Sequence, residues 1–206
     1  MKKILLSICV FTIAMFSENV NAQRAQNEIV ITGGVGYSLG LTAAKGVLNI
    51  PLRAAGLNKI KSTPIINGMV DYGVTENFSF GGAYSFHQWN WQDEYQDTIT
   101  NISTFGNVNA ARHNIGIRGL FHFGSNENVD MYAGARIGYS LWRAKTDAAN
   151  THGESISEFV APPGIFTAQA LFGARAYFNE WLGANVEFGV GTAPYFLAGG
   201  LSFRIR

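Results

Sequence analysis

Residues 166–178 read Phe-Thr-Ala-Gln-Ala-Leu-Phe-Gly-Ala-Arg-Ala-Tyr-Phe, and every second residue of this segment is apolar. A period of two predicts a β-strand whose two faces meet different surroundings. Arg175 lies on the face opposite the apolar one. In a soluble sandwich the apolar face would point to a core and Arg175 to water, whereas in a membrane barrel the apolar face would meet lipid and Arg175 would point into the lumen. The remainder of the sequence discriminates between these two arrangements.

The N-terminus carries the features of an export signal. Two lysines precede an apolar run from Ile4 to Phe16, and polar residues then lead to Ala22. This layout predicts a secretory signal peptide, residues 1–22, that is cleaved after Ala22 and followed by one barrel domain, residues 23–206. The apolar run is too short for a membrane-spanning helix, which needs roughly 18 residues. The single cysteine, Cys9, falls inside the signal, so disulfides and thiol chemistry are excluded from the processed chain.

The composition fits an all-β domain and argues against several functions. Once the signal is removed, basic and acidic residues are equal in number, so nothing in the charge favours a nucleic-acid partner. The chain has 24 glycines and only 5 prolines, and 13% of its residues are aromatic, as β-structure favours. Gly34-Val35-Gly36 lies within an alternating segment and not at a strand-to-helix turn, so it does not predict a phosphate loop. We expect no cofactor.

Alternating segments continue from Ile29 to the C-terminus and predict about eight strands. Their connections alternate in length: those around Thr75, Ser125 and Asn179 are short, whereas three others are long and polar, and only the last outer connection, Gly191 to Pro194, breaks the pattern by being tight. The long ones are residues 42–64, about 88–110 and about 143–163. This alternation is typical of the periplasmic turns and extracellular loops of outer-membrane barrels. It predicts that both termini are periplasmic and that three long loops lie outside the cell.

Aromatic residues gather in two bands, as they do at the two interfaces of a membrane. The band beside the short turns is Tyr72, Phe78, Phe80, Phe121, Phe123, Phe178, Trp181 and Phe203, and the band beside the long loops is Tyr37, Phe86, Tyr139, Phe166 and Tyr195. Strict alternation turns most of them outward, including Tyr195, but places Trp181 on the inner face. We therefore predict an all-β, transmembrane, antiparallel up-and-down β-barrel of about eight strands.

Two segments resemble a known family. The C-terminal Gly200-Leu201-Ser202-Phe203-Arg204-Ile205 is similar to the tail that delivers outer-membrane barrels to their assembly machinery, with Gly200, Phe203 and Ile205 as the signal, although Ile205 stands where an aromatic residue is usual. The hairpin Val70–Gly82 resembles the second hairpin of small porin-like outer-membrane proteins, the group of outer-membrane protein X and the opacity-type barrels. The resemblance implies a barrel in the outer membrane of a Gram-negative bacterium, with a role as an adhesin or a membrane stabiliser.

Charged residues fall on the predicted inner face, and an eight-stranded barrel has an interior that side chains fill. They are Asp71, Arg112, Arg118, Arg136, Arg175, Glu187 and Arg204. We predict that these groups pair and plug the lumen, and that Glu187 bonds Arg175, Arg136 or both. The alternative is a narrow porin-like channel lined by positive charge.

The sequence predicts neither a metal site nor a catalytic residue. His113 and His122 are an odd number of residues apart on one strand and face opposite ways, while His87 and His152 belong to different loops. Ser85 and His87 share a face near the outer rim, which is the basis of a further alternative, a lipid-modifying barrel enzyme, but no third residue or oxyanion donor accompanies them. A secreted, soluble lipocalin-like barrel that binds a small apolar molecule is the remaining alternative.

The long loops are where partners would be met. The first carries Lys45, Arg53, Lys59 and Lys61, which would contact anionic lipopolysaccharide or simply be solvated. The second carries Trp89 and Trp91 among acidic residues, as in a contact with an external protein or glycan, or in an interfacial tryptophan pair. We predict a monomeric, non-enzymatic structural or surface protein whose partners are outer-membrane lipid, lipopolysaccharide and the barrel-assembly machinery.

Overall fold

A computed structural model of the chain describes residues 26–38, 61–96, 103–123, 128–146, 164–192 and 194–206. The predicted signal peptide and most of the first and third long connections lie outside these ranges. The described residues form nine β-segments: β1 Ile29–Tyr37, β2 Lys61–Ser62, β3 Ile65–Gly73, β4 Phe78–Gln96, β5 Ser103–Phe123, β6 Val129–Thr146, β7 Ile165–Tyr177, β8 Leu182–Gly191 and β9 Leu197–Ile205. None of the described residues belongs to a helix that is long and apolar enough to cross a membrane.

The strands pair with their neighbours in antiparallel fashion and close on themselves. The sheet runs β4-β3-β1-β9-β8-β7-β6-β5, and a further ladder between β4 and β5 completes the ring. The short segment β2 pairs with β4 beyond the end of β3, and the two are separated by Thr63 and Pro64, where proline has no N–H to give to the ladder. The closed barrel therefore has eight strands, β1 and β3 to β9, which confirms the predicted fold class.

Small side chains inside the barrel make room for large ones. Gly173 on β7 lies opposite Tyr132 on β6, and a Cβ added to Gly173 would lie 2.5 Å from the Tyr132 ring. Such a distance is not sterically possible, so the tyrosine occupies the space that the glycine leaves free. The lumen is thus filled by side chains that extend from one strand across their neighbours.

The two ends of the barrel differ. At one end, the short-turn end, β3 and β4 are joined by residues 74–77, and β7 and β8 by residues 178–181. The second of these turns is closed by the Asn179 side chain, whose Oδ1 accepts hydrogen bonds from the backbone N–H groups of Trp181 (3.0 Å) and Leu182 (2.7 Å). At the other end, which we call the long-connection end, some strands extend further than their neighbours.

Three neighbouring strands are longer than the sequence suggested. β4, β5 and β6 contain 19, 21 and 18 residues, whereas the other barrel strands contain 9 to 13. The predicted loop at residues 88–110 is therefore wrong in its extent, because pairing between β4 and β5 continues to Gln96 and Ser103. About ten residues of strand suffice to cross a membrane, so these three strands extend beyond the rest of the wall.

Candidate functional site

The outer surface of the barrel wall is apolar along the part where all eight strands lie side by side. Alternate residues of each strand expose Ile, Val, Leu, Phe and Tyr, and the central ones include Ile66, Val70, Ile117, Ile137 and Leu201. Most aromatics of the two predicted bands are on this surface, and Trp181, which strict alternation had placed inside, is 55% exposed and stacks on Phe203. That residue belongs to the turn before β8, so the period of the strand does not apply to it.

The inner surface carries the charges. The largest side chains that are fully buried include Arg118, Arg136 and Arg175, and Asp71 and Glu187 are also fully buried. A soluble protein of this size has the opposite arrangement, with arginine outside and phenylalanine inside. Charges are buried here because each strand turns its polar phase toward the lumen. The described strands form a transmembrane β-barrel.

This barrel confirms the fold that the resemblance to small porin-like outer-membrane proteins implied. No protein-family model and no curated protein matches the chain. Among solved structures, it is similar to a de novo designed transmembrane β-barrel (11% identity, TM-score 0.48, 89% of this chain and 99% of that one). It is also similar to the N-terminal β-barrel domain of Pseudomonas aeruginosa OprF (16%, 0.43, 88% and 100%) and to Ail, the attachment invasion locus protein of Yersinia pestis (11%, 0.45, 88% and 100%).

An ion-pair network crosses the centre of the transmembrane barrel. Asp71 on β3 pairs with two arginines: Arg118 Nε on β5 is 3.1 Å from its Oδ1, and Arg175 Nη2 on β7 donates to its Oδ2. Arg175 also pairs with Asp130 on β6 at 3.3 Å, and Arg118 Nη2 donates to Glu187 on β8 at 2.6 Å. Five charges from five strands therefore meet in the lumen with less than a tenth of any side chain exposed.

Glu187 is held by three donors that come from three strands or their ends. Besides Arg118, the hydroxyl of Tyr132 on β6 donates to Oε2 at 2.8 Å, and the hydroxyl of Tyr195, just before β9, donates to Oε1 at 2.5 Å. The prediction that Glu187 would bond Arg175 or Arg136 is wrong. Glu187 lies opposite Gly173 on β7, and its donors reach it across the lumen and not along the ladder.

Tyr195 corrects a second prediction, because it points into the lumen and not outward. It is 2% exposed, whereas the following Phe196 and Leu197 are both more than a third exposed. The alternation of β9 begins only at Leu197, so extending it backwards to Tyr195 gave the wrong face. Its backbone carbonyl also accepts a hydrogen bond from the Gln169 side chain at 2.5 Å, which fixes the tyrosine over Glu187.

Near the short-turn end, the network continues into a row of three residues. Ser79 Oγ lies 2.8 Å from His122 Nε2, and His122 Nδ1 lies 2.6 Å from Asp130 Oδ1. The three side chains of a Ser-His-Asp catalytic triad are joined by the same two kinds of contact. Here, however, the serine and histidine are at most 1% exposed, and Asp130 also binds Arg175. The hydroxyl has no open approach for a substrate, so this row extends the network toward the turn.

The long-connection half of the lumen holds two further arginines. Arg136 Nη1 donates to Ser85 (3.3 Å) and Nη2 to Asn114 (2.5 Å), while Arg112 Nε donates to Ser140 (2.9 Å). Ser85, half of the alternative serine and histidine pair, is thus inside the barrel and bonded to an arginine. His87, the other half, is buried against Trp89 at 4.0 Å between ring centres.

Arg204 lies at the short-turn end, and the predicted assembly signal lies along β9, which pairs with β1. The Arg204 guanidinium is 3.9 Å from the centre of the Tyr177 ring, and its Nε donates to the Glu180 carbonyl at 2.9 Å. Gly200, Phe203 and Ile205 are on β9, where Phe203 and Ile205 face outward and pair with β1. These three residues stand in the last strand, which pairs with β1 and β8.

The predicted loop contacts are only partly described. Lys45, Arg53, Lys59 and the side chain of Trp91 lie outside the described residues. Lys61 is exposed on β2, and Trp89 is 7% exposed and stacks on Trp142 at 5.1 Å, so it points into the barrel mouth and not out to a partner. No group of three potential metal ligands occurs in the described part of the chain.

Sequence reasoning missed several members of the network. Asp130 and Tyr132 are two residues apart on β6 and share its inner face, and His122 lies on the inner face of β5. Alternation alone identifies no partner for them, because their contacts join different strands. No local signal pointed to Tyr195, because its contact with Glu187 depends on how the chain turns between β8 and β9.

Proposed function

We propose that this chain is a non-enzymatic structural or surface protein of the Gram-negative outer membrane, with a lumen plugged by its central ion-pair network. The observation that carries the proposal is the set of contacts joining Asp71, Asp130 and Glu187 to Arg118 and Arg175, which links five strands across the barrel. A barrel of eight strands has an interior only wide enough for side chains, and these fill it. The protein then acts as a closed and stable structural barrel in the membrane.

The absence of an enzymatic role is supported by the burial of the serine and histidine side chains of the lumen. Ser79 and Ser85 both have less than a tenth of their surface exposed and point away from lipid. A lipid-modifying enzyme needs its nucleophile and an oxyanion donor where the lipid can reach them. We expect overexpression to leave the mass spectrum of lipid A unchanged, and Ser79→Ala and Ser85→Ala to behave as the parent does.

A conductance measurement tests the plug. The purified protein is folded in detergent, inserted into planar bilayers and recorded at both polarities, with a large-pore barrel as the positive control for insertion. We expect no stable conductance steps. Stable, anion-selective steps would contradict the plug and favour the narrow porin-like channel instead.

Location and processing are tested by fractionation. We propose that the chain is exported, loses residues 1–22 and is folded into the outer membrane by the barrel-assembly machinery, to function as a monomer. The mature protein should fractionate with the outer membrane, require detergent for extraction and migrate differently on a gel before and after boiling. Recovery of the folded protein in the aqueous fraction would instead support a secreted lipocalin-like barrel.

We further propose that the long-connection end contacts envelope components or an external protein or glycan. The extension of β4, β5 and β6 supports this proposal, because it raises a three-stranded sheet beyond the apolar wall. The four basic residues of the first connection, Lys45, Arg53, Lys59 and Lys61, supply the positive charge that lipopolysaccharide would need. Their joint replacement by glutamine should weaken binding to vesicles containing lipopolysaccharide, and equal binding by parent and variant would exclude this contact.

A further inference from the structure

The described lumen has an excess of positive charge in its long-connection half. From Asp130 to that end, the carboxylates whose side chains the structure describes are Asp71, Asp130 and Glu187, and all of them are bound by Arg118 and Arg175. Arg112 and Arg136 bring the arginines to four against these three carboxylates, an excess of one positive charge, and neither forms an ion pair with any carboxylate in the part of the chain that the structure describes. Two arginines inside a protein normally come with counter-charges, because removing a charge from water is costly.

The two arginines are joined to one cluster of uncharged side chains. Ser140 Oγ accepts hydrogen bonds from Arg112 Nε and from Asn114 Nδ2, both at 2.9 Å, and Asn114 Oδ1 accepts from Arg136 Nη2. Asn114 Nδ2 also donates to Thr167 at 2.9 Å. Asn114 and Ser140 therefore hold the two guanidinium groups near each other, and the positive charge of Arg136 repels that of Arg112.

Arg136 also has a donor that nothing in the described structure satisfies. The residue is 1% exposed, and its Nε has no hydrogen-bond partner. Its other two nitrogens donate to the uncharged acceptors Ser85 and Asn114, and its guanidinium carbon lies 5.9 Å from the centre of the Tyr195 ring. A buried guanidinium that keeps an unused donor and forms no ion pair is suited to binding an anion.

We propose that the long-connection half of the lumen binds a small inorganic anion, a halide or an oxyanion, between Arg112 and Arg136. Entry is from the long-connection end, because Arg112 is only part-buried whereas the central ion-pair network closes the lumen below Arg136. Because the network closes this part of the lumen on one side, the anion acts as a counter-ion that stabilises the barrel and not as a conducted solute. The proposal does not require the protein to be a surface protein or a channel.

Titration of the folded protein in detergent tests the site. Chloride replaces the bulky anion gluconate at constant ionic strength, and thermal unfolding and tryptophan fluorescence are followed together. Trp142 is the reporter, because the Arg112 guanidinium lies 5.3 Å from its ring centre and Trp89 stacks on it. We expect a saturable change in fluorescence and a rise in Tm of about 5 °C at saturation. No saturable change in either signal, with chloride or with sulfate, would overturn the proposal.

Three variants test whether the effect arises at the site between Arg112 and Arg136. Arg136→Gln should lose the dependence on anion, whereas Arg143→Gln, which removes an exposed arginine of β6, should keep it. Ser85→Asp places a carboxylate beside Arg136, whose Nη1 is 3.3 Å from the serine oxygen. It should raise Tm in gluconate and reduce the response to chloride at least about threefold. If Ser85→Asp keeps the full response of the parent, or Arg143→Gln loses it as Arg136→Gln does, the anion does not bind where we place it.

Crystals grown in bromide give a direct measurement of position. An anomalous peak between the Arg112 and Arg136 guanidinium groups is the expected result. If no anomalous peak occurs between these two groups at saturating bromide, the result contradicts the proposal independently of protein stability.

Discussion

Asp71 is the carboxylate on which two buried guanidinium groups converge, and it therefore holds the centre of the lumen together. Its partners could not be read from the sequence, because Arg175 lies 104 residues further along the chain. The period of two did place Asp71, Arg118 and Arg175 on the inner face. Alternation predicts the face of the strand on which a residue lies, but not which residue it contacts across the lumen.

Replacement of Asp71 by asparagine should strongly destabilise the barrel. The change keeps the size of the side chain but removes the carboxylate that Arg118 and Arg175 share, so that Arg118 keeps only Glu187 and Arg175 keeps only Asp130. Losing hydrogen bonds to a buried charged group costs about 1.5–3 kcal/mol. The free energy of unfolding, measured with denaturant in lipid vesicles, reports the loss. Glu76→Gln, on an exposed turn residue, is the matched control and should change stability by less than about 0.5 kcal/mol.

The hydroxyl of Tyr195 is expected to contribute chiefly through Glu187, since its other contact, with the Met69 sulfur, is long at 4.0 Å. Tyr195→Phe removes one hydrogen bond to a buried carboxylate and should cost about 1.5–3 kcal/mol of unfolding free energy. Tyr37→Phe, on the exposed outer wall, is the control and should be close to neutral. Equal effects of the two substitutions would mean that Glu187 does not depend on this donor.

At the scale of the strand, depth in the wall decides the cost of a charge. Ile117 and Phe121 both face outward on β5. Phe121 is near the short-turn end of the strand, whereas Ile117 lies further from that end and deeper in the membrane. Ile117→Lys should therefore cost about 2–4 kcal/mol, and Phe121→Lys about 0–1 kcal/mol. Denaturant unfolding in vesicles measures both, and equal costs would contradict a membrane that covers this face.

Strands were predicted well where alternation is continuous and poorly at their ends. The eight strands and the short turns follow from the sequence, because apolar and polar residues alternate through each membrane-crossing segment. Alternation stops being informative where a strand leaves the membrane. β4 and β5 therefore continue through polar residues such as Asn90 and Asn109, which pair as strand but resemble a loop in sequence.

For the whole molecule, the distribution of polarity matters more than any single contact. Apolar side chains cover the outside, and charges with their hydrogen-bonding partners fill the inside, so the barrel requires lipid or detergent to cover the wall. The sequence could predict this inversion from the signal peptide, the alternating loop lengths and the two aromatic bands. It could not predict the excess of positive charge above the network, because that depends on which carboxylates the other arginines already use.

The most direct measurement of this inversion is a nitroxide scan along β7. The mature chain without residues 1–22 has no cysteine, so single cysteines can be introduced at each position from Ala168 to Ala174 and spin-labelled in vesicles. Collision rates with oxygen, which concentrates in lipid, should be high at Ala168, Ala170, Phe172 and Ala174 and low at the positions between them. A scan in which the apolar positions are shielded and the positions between them collide with a water-soluble nickel reagent would contradict a transmembrane barrel.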